Sequence, residues 1–184
     1  MMNKIFETIT IQNFKSWKNK TDFPLNDINL LFGPNSAGKS SILQALMLLN
    51  QSCTTYNGFL SYETADQFPI QRLNLVNSIR DYGTYEDITF KKNGKDIIFS
   101  FTLNREELIR DFSSYLTNNQ IFGGPQGSSK IDIAQMLYNE VSNLIPQRSQ
   151  ELSMELTFRD STLDKVSINL NKRNKVELSI ANGK

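Results

Sequence analysis

The stretch Gly33-Pro34-Asn35-Ser36-Ala37-Gly38-Lys39-Ser40 constrains this chain more than any other. It spells G-x-x-x-x-G-K-[ST], a loop whose backbone wraps phosphate groups and which belongs between a strand and a helix. The flanks suit that context. Ile28 to Phe32 is a nearly continuous apolar run, the pattern of a strand buried on both faces. After the loop, Ile42, Leu43, Ala45, Leu46, Leu48 and Leu49 cover most of a helix circumference, so a helix from Ser40 to Leu49 is predicted to be buried on more than one side.

The chemistry of such a loop is convergence of donors on a small volume. Gly33 and Gly38 carry no Cβ, so the backbone can approach an anion closely. The first amides of the following helix have no partner within it, and its dipole puts partial positive charge at that end. Gly33, Asn35, Ser36, Ala37, Gly38, Lys39, Ser40 and Ser41 are therefore the candidate binding residues, and a nucleoside triphosphate, ATP, the expected ligand. Lys39 supplies a point charge for the β- and γ-phosphates, the Ser40 hydroxyl a ligand for Mg²⁺, and Ser41 a donor for the α-phosphate.

Composition narrows the remaining classes. The chain has 184 residues, enough for one ordinary domain with a sizeable core. A net charge of +1 gives no global basic field of the kind that advertises nucleic-acid binding. Cys53 is the only cysteine, so no intrachain disulfide forms, and it reads as a small apolar residue at the end of the helix. With no histidine, the chain offers no imidazole base and no imidazole metal ligand. The N-terminus lacks a signal-peptide core and no apolar run reaches membrane-spanning length, which together predict a cytoplasmic protein without a membrane partner.

Along the chain, Ile5, Ile9 and Ile11 alternate with polar residues as in a half-buried strand, and Lys20 to Phe23 predicts a short second one ended by Pro24. Thr54 to Gln71 reads as a loop. Ile88 to Phe90 and Ile97 to Leu103 flank Asn93-Gly94, a hairpin signal. Asn104 is a candidate cap for a helix from Arg105 to about Leu116, with Glu106 and Glu107 in its first turn. Gly123 to Ser129 reads as a linker and Ile131 to Ile145 as a helix stopped by Pro146. Three alternating runs, Leu152 to Phe158, Val166 to Leu170 and Val176 to Ile180, predict an antiparallel meander.

The arrangement from Ile9 to Gln51 resembles the start of SMC/RecF-like ATPases, a branch of the ABC-type P-loop proteins. A strand ends in Asn13-Phe14-Lys15-Ser16, and Leu30 to Ser41 with Ile42-Leu43-Gln44-Ala45-Leu46 follows at the expected distance. The Gly-Pro-Asn-Ser-x-Gly-Lys-Ser form is similar to OLD-like and AAA-labelled prokaryotic ATPases, and Leu75 to Phe90, with Asp81 to Ile88 inside it, also resembles a stretch after the P-loop helix in that group. The resemblance implies an α/β P-loop NTPase head: a core over residues 1–58, with a mixed sheet around the P-loop helix, and an antiparallel β and helical arm over 59–184. It also implies that Lys15 and Ser16 are secondary nucleotide contacts, beside the plainer reading of a solvated turn. Trp17 reads either as a stacking surface for a base or as packing at the domain edge.

The same resemblance makes two gaps visible. No four-residue apolar run is followed by Asp-Glu, so the Walker B carboxylates that help hold Mg²⁺ and polarise water are missing, and catalytic residues remain unassigned. Leu108-Ile109-Arg110-Asp111 and Phe158-Arg159-Asp160 are interrupted by arginine. Gly123-Gly124-Pro125-Gln126 lacks the Leu-Ser entry of the family's signature motif. The expectation is an ATP-binding N-terminal segment of an SMC/RecF-like or OLD-like ATPase, cut before Walker B and inactive alone. Its complete form works as a homodimer or with a partner subunit, in DNA repair or anti-phage defence, with DNA or a nuclease as partner. The alternative is a non-hydrolysing docking module that keeps the loop structurally. A GTPase or small kinase fits less well, for want of an Asn-Lys-x-Asp segment and a simple β–α alternation.

Overall fold

The computed structural model describes residues 5–35, 37–53, 70–77, 80–110, 139 and 152–169, and the backbone of 175–179. Its frame is one six-stranded sheet made of β1 (Phe6–Gln12), β2 (Thr21–Pro24), β3 (Ile97–Leu103), β4 (Ser153–Arg159), β5 (Thr162–Asn169) and β6 (Lys175–Ser179). The order is β2-β1-β3-β4-β5-β6, and every neighbouring pair is antiparallel. Strands from both the first 58 residues and the remainder share this sheet, joined where Ile9 faces Phe101 and Ile11 faces Phe99.

The alternation that predicts these strands also sorts their faces. Ile9 and Ile11 lie across from Phe101 and Phe99, which in turn meet Met154 and Leu156, which meet Ile168 and Val166. This row forms one side of the core, and Phe14, Phe99 and Phe158 beside and within it are fully buried. Phe99 stands edge-on to both Phe14 and Phe158 at centroid separations of 5.7 and 6.0 Å, the offset geometry favoured by ring quadrupoles.

The other side of the core is helix α1 (Lys39–Ser52), which contributes Ile42, Ala45, Leu48 and Leu49. The segment 70–77 ties it down. The Asn74 amide donates to Ser52 Oγ at 2.9 Å and Gln51 Nε2 donates to the Asn74 carbonyl, while Leu73 N donates to Ser161 O at 2.7 Å and Leu163 N to Gln71 O at 2.8 Å. Tyr82 adds a bond from its hydroxyl to Gln44 O at 3.1 Å. The C-terminal end of the helix is thereby fixed to the β4–β5 turn.

Two expected strands take other forms. Ile88 to Phe90 is not the first arm of a hairpin. Thr84 and Asp87 make a reciprocal capping box that starts a helical turn, α2 (Tyr85–Ile88), and a 3₁₀ turn (Phe90–Lys92) follows. Asn93 then has right-handed φ −81°, so Asn93-Gly94 does not form the two-residue turn its sequence suggests. Ile28 to Phe32 joins no strand among the described residues. Among the described residues no strand pairs with that run, and Ile28, Leu30, Leu31 and Phe32 are 80, 73, 41 and 85% exposed. Nor is α1 covered all round: Leu43 and Met47, one turn apart, are exposed.

Helix α3, described over 105–110, begins where expected. The Asn104 side chain accepts from Glu107 N at 3.1 Å, as an N-cap does. The linker at Gly123–Ser129, most of the loop from Thr54, the far end of this helix and, but for Asn139, the helix from Ile131 lie outside the described residues.

Candidate functional site

The loop ahead of α1 is shaped by its two glycines. Gly33 has φ +147° and Gly38 φ +86°, the side of the map that L side chains rarely adopt. Gly38 is the N-cap of α1, and no side chain caps the helix from there. The first turn holds no acidic residue. Its leading amides are thus left without a side-chain acceptor, at the positive end of the helix dipole. Ala37 N reaches Pro34 O at 3.2 Å and Ser41 N reaches Gly38 O at 2.9 Å, which close the loop on itself and tighten the first turn.

Lys39 lies over this loop. Its Nζ donates to the carbonyls of Gly33 and Pro34, each at 2.6 Å, and so bridges the loop's entry to its exit. Ser40 is exposed and Ser41 buried at 7%. Gly33, Asn35, Ala37, Gly38, Lys39, Ser40 and Ser41 are brought together on consecutive turns of one loop and helix start; Ser36 lies outside the described residues. The arrangement suits an anion: leading amides of Lys39 and Ser40 with no acceptor among the described residues, a cation on a long stem, and no carboxylate in the first helical turn. Among the described residues no cluster of three His, Cys, Asp or Glu side chains could hold a metal by itself.

The turn after β1 stands beside the loop. Phe14 and Trp17 exchange backbone bonds, at 3.0 and 2.8 Å, and Lys15 N donates to Ile88 O at 2.7 Å. Asn13 and Lys15 both have positive φ, 55° and 49°. The Asn13 side chain is buried and saturated: its Nδ2 donates to Asn93 Oδ1, Lys95 O and Asp96 O at 3.1, 2.9 and 3.1 Å, and its Oδ1 accepts from Asn93 Nδ2 at 2.8 Å. Asn13 therefore fastens the end of β1 to the start of β3.

Lys15 Nζ donates to the Asp87 carbonyl at 3.2 Å. Burial holds its ammonium below the ordinary lysine range; the charge of Asp87 opposes that, and Arg80 and Lys92 add to it. Asp87 itself has its carboxyl held well below the usual carboxylate range, first by the hydrogen bond from Lys92 at 2.6 Å and then by the amide and hydroxyl of Thr84. Ser16 borders the loop directly: a Cβ placed on Gly38 would lie 3.1 Å from Ser16 Cβ. The two residues that the resemblance pairs as secondary contacts thus differ, Ser16 bordering Gly38 and Lys15 engaged with α2. The sequence does not single out Asn13 as a fastening point; an asparagine, tolerant of positive φ, directly after an alternating strand is its one local hint.

No helix among the described residues is long and apolar enough to cross a membrane. The DNA replication and repair protein RecF of Chlorobium limicola is 26% identical over 117 residues, which make up 60% of this chain but only 30% of that protein. That likeness agrees with the SMC/RecF-like resemblance of the loop and its flanks. A model of the AAA ATPase domain matches residues 5–181, and the chain belongs to that P-loop ATPase family.

Proposed function

We propose that this chain binds ATP with Mg²⁺ through Gly33–Ser41, as the N-terminal part of an SMC/RecF-like or OLD-like ATPase head. The observation that carries the reading is the start of α1: an N-cap glycine in the left-handed region, no capping side chain, no acid in the first turn, and Lys39 held over the loop. The helix amides of Lys39 and Ser40 would donate to phosphate oxygens, and that of Ser41 would do so on giving up Gly38 O. Lys39 would exchange its two loop carbonyls for phosphate, and Ser40 would give its hydroxyl to Mg²⁺, which brings the charge neutralisation that phosphoryl transfer needs. Asn35, Ser36 and Ala37 would line the wrap of the loop, and Ser16 would flank it. Lys15 acts in this reading by fixing the turn to α2.

Turnover needs groups that this chain lacks. With no Walker B carboxylates in the sequence, we assign hydrolysis to the completed head, formed with further polypeptide and working as a dimer or with a partner subunit. The exposed run Ile28–Phe32 supports this, since residues of that apolarity belong between flanking strands. The RecF likeness points to DNA repair as the setting, with anti-phage defence and a nuclease partner as the other course open to such heads. The test is Mg·ATP binding by calorimetry to this chain and to Lys39→Ala. Binding that is lost or weakened at least about tenfold in the variant supports the reading; equal affinity in both refutes it.

One second reading has an observation of its own. The uncovered Ile28–Phe32 and the Leu43/Met47 stripe also suit a docking module that keeps the loop without using it. Thermal unfolding separates the two, because a ligand of the native state must raise the midpoint. No rise at saturating Mg·ATP favours the docking module.

A further inference from the structure

Trp17 is the only tryptophan of the chain, and its indole lies between β2 and the phosphate loop. On one side it stands edge-on to Phe23 of β2, centroids 5.0 Å apart and planes at 75°. On the other it meets Gly38. A Cβ built on Gly38 would lie 2.8 Å from Trp17 Cζ2 and 2.9 Å from Cε2, closer than real Cβ atoms come. Glycine is therefore required at this position twice over: for its φ of +86°, and because the ring occupies the room a side chain needs.

The ring is itself held firmly. Trp17 and Phe14 exchange their backbone bonds across the turn, Phe14 is fully buried, and Lys15 N is bound to Ile88 O. The indole Nε1 is enclosed without an acceptor among the described residues. An enclosed donor left unpaired is unfavourable. Phe23 meets one part of the half-buried ring and Gly38 another.

We propose that Trp17 is a positioning residue for the phosphate loop. Its indole blocks Gly38 from relaxing toward the sheet, and so keeps the N-cap of α1 in the left-handed conformation that leaves the first helix amides uncapped for a polyphosphate. The inference rests on the nucleotide-binding reading of the loop, and adds that affinity is set in part from the turn after β1.

The test uses the full chain as wild type, Trp17→Phe, Trp17→Leu and Trp17→Ala, with Mg·ATP and Mg·tripolyphosphate as probes in calorimetry. A second readout needs no ligand: amide hydrogen exchange at residues 39–41 by NMR. Expected is an equal loss of affinity for both probes in Trp17→Ala, about tenfold or more, with Trp17→Phe within about threefold of wild type. Exchange at Ser41, whose amide donates to Gly38 O at 2.9 Å, should be faster in Trp17→Ala and unchanged in Trp17→Phe. If Trp17→Ala does not fold, Trp17→Leu against Trp17→Phe gives the same comparison. A loss confined to Mg·ATP would mean base stacking and overturn the proposal. So would unchanged exchange and affinity in a variant that merely melts earlier. Should the wild type bind neither probe, the nucleotide reading fails, while the exchange comparison still decides whether Trp17 positions the loop.

Discussion

Asn13 offers the sharpest test of how this fold is held beside its loop. It is 7% exposed and makes four side-chain hydrogen bonds to Asn93, Lys95 and Asp96, some 80 residues away in sequence. It also sits at φ 55°, where asparagine is tolerated better than most residues. Asn13→Gly would keep the backbone comfortable but take the Asn13 donor from Asp96 O, at about 1–3 kcal/mol for a group left unpaired, while Lys95 O keeps the Tyr85 hydroxyl at 3.1 Å. Asn13→Ala would add about 1–2 kcal/mol for the left-handed conformation. Asn13→Asp would be worst at neutral pH, because a carboxylate would face three oxygens with no donor to offer them. Those oxygens raise the carboxyl's pKa in the folded state, so its deficit against wild type is full at neutral pH and narrows as pH falls through the raised value.

The expected order of stability is wild type, then Gly, then Ala, then Asp, with Asn13→Ala down by roughly 2–5 kcal/mol from a total of about 5–15. In urea, with a slope near 2 kcal/mol/M, that moves the midpoint by about 2 M. Trp17 emission and far-ultraviolet circular dichroism can follow the same transition, one reporting beside the loop and the other over the sheet. Asn13→Ala within about 0.5 kcal/mol of wild type, a change typical of surface sites, would refute the reasoning. So would an Asp variant as stable as the Ala variant at pH 7.

Further outcomes follow from the same contacts. Gly38→Ala should cost at least about 2 kcal/mol, from φ +86° and the ring 2.8 Å away, and should abolish any thermal shift with Mg·ATP; an unchanged melting point would contradict the close approach. Asp87 has a depressed carboxyl pKa, so its contribution is present above the unfolded value near 3.9 and lost as pH falls through the folded one; Asp87→Asn should flatten the decline of melting temperature between about pH 4 and 2, and an unaltered decline would mean that other carboxylates carry it. Phe32→Ser, at a site 85% exposed, should leave the stability of this chain within about 0.5 kcal/mol while reducing self-association in light scattering; a loss above about 2 kcal/mol would show the side chain buried.

Much of this fold is legible in the sequence, for local reasons. The runs that form β1, β3, β4 and β5 alternate because one face of the sheet meets the core, and period two survives in the sequence whatever the partner strand is. The loop is legible because its glycines, lysine and serine sit at fixed spacing between apolar flanks. Ile88–Phe90 misleads because two local signals compete there: the Asn93-Gly94 pair suggests a hairpin, while Thr84 and Asp87, at capping-box spacing, begin a helix. What no periodicity encodes is a contact across the chain. That Asn13 saturates Asn93 to Asp96, or that Gly38 has no room for a Cβ because Trp17 fills it, depends on placing segments about 20 to 80 residues apart.

The run Ile28–Phe32 carries the remaining argument. Burying a large aliphatic or aromatic side chain is worth about 1.5–3 kcal/mol, so covering Ile28, Leu30 and Phe32 would supply several kcal/mol, comparable with the net stability of a small domain. Phe32 adjoins Gly33, whose carbonyl Lys39 holds at 2.6 Å. Whatever covers the run therefore acts within one residue of the group that a triphosphate must recruit. If cover and nucleotide favour the same loop conformation, linkage makes the effect mutual: cover tightens nucleotide binding by the same factor as nucleotide tightens cover. A weak affinity for Mg·ATP in this chain alone, rising when the run is buried, would follow from that coupling. An affinity independent of cover would show that Lys39 and the uncapped amides of α1 set binding without help from the strand that precedes them.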